Sequence, residues 1–172
     1  MDARSLAHAI VRGGPELRGL LDDLSKLDAT ATMGILKELV RDSDWGVRGW
    51  VAWAGPRFLG GSAESLLRVL ASDVHPDVRT EAIDALLDLD ERHVHEFTPV
   101  FIAGAKGSDF QTALWSILRL ARYRVPEAIA LFQELAVTAQ HPAVRNHATP
   151  FSSFSRVARQ TYSRVSRVMT TP

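Results

Sequence analysis

The chain has 172 residues, 46% hydrophobic and 23% charged, with no cysteine and a formal net charge of zero. That excludes disulfides, thiolate chemistry and cysteine-ligated zinc, and no run approaches the ~18 consecutive apolar residues of a membrane span. The charge is uneven: residues 1–100 carry 11 Lys and Arg against 17 Asp and Glu, and residues 101–172 carry 9 against 3, which points to polar partners.

The opening MDARSLAHAIVRGG has an acid at position 2 and no long apolar stretch, so no secretory signal is expected and a cytoplasmic location is. A first helix is expected over 2–12, closed by Gly13-Gly14-Pro15, before PELRGLLDDL at 15–24. A helix over 28–41 leads to WGVRGWVAWA at 45–54, with a break at Gly55-Pro56 and another at Gly60-Gly61. Ser62 is the expected N-cap of a helix over 62–72, and Pro76 suits the first turn of PDVRTEAIDA. A helix over 92–104 ends at Gly107-Ser108-Asp109, and DFQTALWSIL follows. Pro126 suits the first turn of a helix over 126–139, and PAVRNHATPF precedes a break at Pro150. Residues 152–172 then place Phe154, Val157, Tyr162 and Val165 on one stripe, with Arg156, Arg159, Arg164 and Arg167 off it. This reads as a basic amphipathic helix capping the stack, because an end repeat otherwise exposes its apolar side; the alternative is a basic face for an acidic partner, nucleic acid or a membrane surface, and it is the only pointer to nucleic acid.

Five windows align on one position: Arg18, Arg48, Arg79, Thr112 and Arg145. The arginines are 30, 31 and 66 residues apart, and Thr112 halves the last interval. The residue before, and those three and six after, are apolar or small in nearly every window, which is one buried helix stripe. Ten helices follow, paired as five hairpins. The expected fold is all-α, a right-handed α-solenoid over 1–151 with its cap at 152–172.

HPDVRTEAIDALLDL resembles the second helix of a HEAT-type repeat: a turn with Asp or Pro, then Val-Arg, an alanine and leucines. The resemblance covers about residues 15–151 and fades around Thr112. It implies an armadillo-type fold in which the arginine pairs with an acid of the adjacent unit. Arg18, Arg48, Arg79 and Arg145 would form that ladder, with Asp42, Asp44, Asp73 and Asp77 as the acids.

Function points to a surface. Trp50 and Trp53 share a helix face, as do Glu81 with Asp84 and Leu114 with Ile117, since residues three apart are neighbours. Stacked second helices would turn these six into one ridge, an aromatic and acidic docking surface for a protein partner of basic character. Trp45 and Trp115 read as structural. His93-Val94-His95-Glu96 does not read as a metal site, because His93 and His95 point to different helix faces. No phosphate loop, nucleophile elbow or HExxH occurs. The expected function is non-enzymatic protein binding without cofactor, as adaptor, inhibitor or toxin-neutralising scaffold. The alternative is a DNA-binding protein similar to the HEAT-like alkylpurine DNA glycosylases. The tryptophans suit it; the acidic first half does not, because phosphate contacts need Lys and Arg.

Overall fold

The computed structural model describes residues 25–152, together with Ser5 and His8. Among these residues the chain is all-α, without a strand. No helix among them is long and apolar enough to cross a membrane. The chain divides into two compact units, Met1–His93 and Val94–Pro172.

In the first unit α1 (Ala29–Leu39) pairs with α2 (Trp45–Leu59). A 3-10 turn at Gly60–Ala63 leads to α3 (Glu64–Leu70), which pairs with α4 (Pro76–Leu89). The second helices, α2 and α4, pack on each other. Leu36, Val47, Val51, Leu67, Val78, Ala82 and Leu86 are buried between them. The second unit repeats the plan: α5 (Val94–Lys106) with α6 (Phe110–Arg122), α7 (Ala128–Thr138) with α8 (Pro142–Ser152), and α6 on α8. Phe101, Ile117, Leu120, Ala128 and Ala148 fill its core. The expected helix at 2–12, the window at 15–24 with Arg18, and the capping helix after Ser152 lie outside the described residues.

Polar caps start the helices. Asp28, Asp44 and Asp109 accept from the backbone N–H of Ala31, Gly46 and Thr112 at 2.8, 2.8 and 2.7 Å, each satisfying a donor the helix cannot. Pro76 and Pro142 open α4 and α8, where a missing N–H costs nothing.

Four expected boundaries differ. Gly55-Pro56 does not end α2, which runs on to Leu59; Gly60, with φ +54°, ends it instead. Gly55 is buried inside the helix, where an added Cβ would lie 3.1 Å from that of Ala63. Ser62 caps nothing, because the 3-10 turn runs directly into α3. Pro126 stands two residues ahead of α7, in a turn closed by bonds from Ala128 and Ile129. Pro150 lies within α8; the carbonyl it leaves without a donor belongs to exposed Asn146.

The three described arginines of the repeated window act alike. Nη1 donates to the two carbonyls six and five residues earlier, in the turn between first and second helix. Arg48 bonds Asp42 and Ser43 at 2.8 and 3.3 Å, Arg79 bonds Asp73 and Val74 at 2.7 and 3.0 Å, and Arg145 bonds Ala139 and Gln140 at 2.6 and 3.1 Å. Of the four acids expected in the ladder, Asp73 takes the rung. Its carboxylate receives Nε and Nη2 of Arg48 at 2.7 and 2.8 Å. Asp42 instead accepts from the Asp44 N–H and faces His8, Asp44 caps α2, and Asp77 is exposed. Arg79 and Arg145 make no ion pair among the described residues.

The caps also fix the register. Asp44-Trp45 and Asp109-Phe110 are 65 residues apart, and His75-Pro76 and His141-Pro142 are 66 apart. Trp45 stacks on His75 at 4.2 Å and 4°, and Phe110 meets His141 at 3.9 Å and 31°. Among the described residues the cap signatures thus alternate from one helix pair to the next and recur after two pairs. Counted from its cap, α6 places Ala113, not Thr112, at the arginine position. Burial agrees: Val51, Ala52 and Gly55 of α2 correspond to Ser116, Ile117 and Leu120, and all six are buried.

Candidate functional site

In α2 the residues at the candidate face are Trp50, Trp53 and Arg57. Trp50 is only 8% exposed and belongs to the core; its Nε1 is buried and has no hydrogen-bond partner among the described residues. α2 is apolar or small almost all round, so burial extends past the usual stripe and takes in the slot that Glu81 holds on α4. Trp53 is half-buried, and the Arg57 guanidinium lies 4.0 Å over its ring. That spacing, one helical turn, suits a cation over an aromatic face. Arg57 also donates to the Trp53 carbonyl at 2.7 Å, which fixes the stack.

α4 supplies the acids beside it. Glu81 is exposed, Asp84 half-buried and Asp88 exposed. They follow one another at helical spacing along one face. Although much of the Glu81 side chain is exposed, its partial burial, and then Asp84, hold the carboxyl above the ordinary carboxylate value of 4.5. Arg57 pulls it back and Asp88 pushes it further up. The field of Arg57 thus reaches from α2 to α4, and Trp53, Arg57, Glu81, Asp84 and Asp88 form one surface. It is an aromatic platform already covered by one guanidinium, next to acids that partly repel each other.

In the second unit the corresponding slots hold other residues than expected. Ile117 is 0% exposed and lies in the core, and Leu114 is half-buried. The one-residue shift of α6 explains this: the slots of Trp50 and Trp53 fall on Trp115 and Leu118. Trp115 meets Phe101 edge-on at 5.1 Å, and Leu118 is 40% exposed. Arg57 and Asp88 were not among the six expected contacts. Their signal was present, one turn beyond Trp53 and Asp84.

The histidine motif is divided. His93 Nε2 is 3.9 Å from Glu64 and its Nδ1 is 3.4 Å from Arg68 Nη2, while His95 is exposed. Among the described residues no three or more His, Asp or Glu side chains come together as a metal site.

No family model matches the chain, and no curated protein matches it. The functional reading therefore rests on the geometry.

Proposed function

We propose that the protein is a HEAT-like α-solenoid that binds a partner protein, without chemistry, through the second-helix face of α2 and α4. The supports for the solenoid are the helix pairs, the packing of second helix on second helix within each unit, and the arginine bonded alike in three windows. The observation that carries the binding reading is Arg57 lying over Trp53 beside Glu81 and Asp84. A site that holds a guanidinium of its own on an indole, flanked by carboxylates, suits an arginine or lysine of a basic partner segment. Aromatic anchors ringed by polar groups dominate such interfaces. The carboxylates of Glu81, Asp84 and Asp88 on this face oppose the phosphate backbone of nucleic acid.

The test is capture of partners by the intact protein and by a Trp53→Ala/Asp84→Lys variant, with folding followed by circular dichroism. A folded variant should lose the partner, with affinity falling about a hundredfold when an aromatic anchor and an acid are removed together. Undiminished capture by the folded variant removes this face from consideration.

A further inference from the structure

In the first unit the Arg48–Asp73 pair fills the space between the start of α2 and the turn before α4. The same place in the second unit is given by the cap register. Arg48 corresponds to Ala113 and Asp73 to Ala139. Both partners of the rung are alanine, and a cavity of about 510 Å³ occupies their place, lined by both. Its walls carry what the missing guanidinium would have met. Arg48 donates to the carbonyls of Asp42 and Ser43; the corresponding residues, Gly107 and Ser108, line the cavity, and no described side chain donates to their carbonyls. The imidazole of His141, tilted over Phe110 at 3.9 Å, forms another wall, as His75 on Trp45 does beside the intact rung. The lost carboxylate has a substitute. Glu134 of α7 lines the cavity and, among the described residues, its carboxylate pairs with Lys106 at 3.3 Å, with both side chains about half exposed.

We infer that this cavity is a binding site for a guanidinium group supplied from outside the chain. The guanidinium donates to the Gly107 and Ser108 carbonyls as Arg48 does to theirs, lies against the Phe110–His141 pair, and takes Glu134 as its anion in exchange for Lys106. The volume falls within the range of small-ligand sites, and charge-assisted bonds to a carboxylate give the selectivity. The freed Lys106 ammonium is then available to a carboxylate on the same ligand. The site does not depend on the partner-binding face, which lies in the first unit.

Two probes separate the sources of guanidinium: free L-arginine, and a blocked Ala-Arg-Ala peptide without free termini. Each is titrated into the full chain, labelled for amide chemical shifts, with L-citrulline as the uncharged control. Shifts at Phe110, Thr112, Gln140 and His141 saturating below about 10 mM are expected from at least one arginine probe and not from citrulline. Tighter binding of free arginine identifies a small-molecule ligand, and tighter binding of the peptide identifies an arginine side chain. Glu134→Gln, an exposed change with little risk to folding, should weaken binding about tenfold. Ala113→Arg/Ala139→Asp rebuilds the rung in place of the cavity and should abolish binding. No saturable shift from either arginine probe overturns the inference. So does equal response to citrulline, or unchanged binding by Glu134→Gln.

Discussion

Arg48 and Asp73, 25 residues apart in the chain, are joined by two parallel bonds of 2.7 and 2.8 Å, their side chains only 11% and 9% exposed. The same guanidinium holds the turn between α1 and α2 through the carbonyls of Asp42 and Ser43. One side chain thus fixes the corner of its own helix pair and ties it to the next. Asp73 is fixed in turn by the N–H of His75 at 2.8 Å.

Removing either partner leaves a largely buried group without its counter-charge. Arg48→Ala should therefore cost about 3 kcal/mol of unfolding free energy by urea titration. Arg48→Lys should recover only a minor part, because an ammonium cannot span the carboxylate and the two carbonyls at once. A loss below about 0.5 kcal/mol for the alanine variant would show that the rung is only a surface pair.

The rung also sets an acid limit. The Arg48 bonds hold the Asp73 carboxyl below its ordinary value of 3.8, burial opposes them, and the His75 N–H adds to the lowering. A carboxyl lowered in the folded state contributes stability that is complete above 3.8 and is lost as pH falls through the lower folded value. Unfolding free energy followed by denaturant from neutral pH down through this range should fall less steeply in Asp73→Asn than in the native chain.

Glu81 has the opposite sign. Its carboxyl is raised above 4.5, so folding favours the protonated form, and the ionised form opposes folding as pH rises through the raised value. At neutral pH Glu81→Gln should raise stability by a few tenths of a kcal/mol, discounted for the exposure of the side chain. The same change should weaken capture of a basic partner, which separates the two roles. A variant that is less stable at neutral pH would contradict the crowding of acids on α4.

Gly104 of α5 and Ser116 of α6 mark a close helix crossing. A Cβ on Gly104 would lie 2.3 Å from Ser116 Oγ, and 3.2 Å from Thr112 Cγ2. Gly104→Ala should lower stability by about 1–3 kcal/mol through overpacking. The Ser116 hydroxyl is buried and has no partner among the described residues, so Ser116→Ala should be neutral or stabilising by up to about 1 kcal/mol. In the double variant most of the clash disappears, and a thermal-unfolding cycle should show strong non-additivity.

The sequence made the helices and the arginine slot legible because both depend on local chemistry: apolar periodicity, a proline at the first helical position, a glycine past the last. Asp73 was one of four acids offered for the rung; only the packing of neighbouring pairs selects it. The surface was read less well. Glu81 in the same slot of α4 sets Trp50 on the outer face, but the small residues of α2 let neighbours close over it. Halving the interval between Arg79 and Arg145 sets Ile117 on the outer face, one residue out of register. Its cap, Asp109 followed by an aromatic as Asp44 is, carried the true register. The cavity beside Ala113 depends on that register, which pairs Ala113 with Arg48 and Ala139 with Asp73.

The alternation of cap signatures restricts how such a chain can lengthen. Each Asp-aromatic start has its ring on the imidazole of the His-Pro start that follows. An extra copy of a single helix pair would set two starts of the same kind side by side and leave a ring or an imidazole without its neighbour. A copy of two pairs would preserve every stack. The cap signatures recur after about 65 residues rather than half that, Asp44 at Asp109 and His75 at His141. Longer members of this architecture, natural or designed, should grow in even numbers of helix pairs.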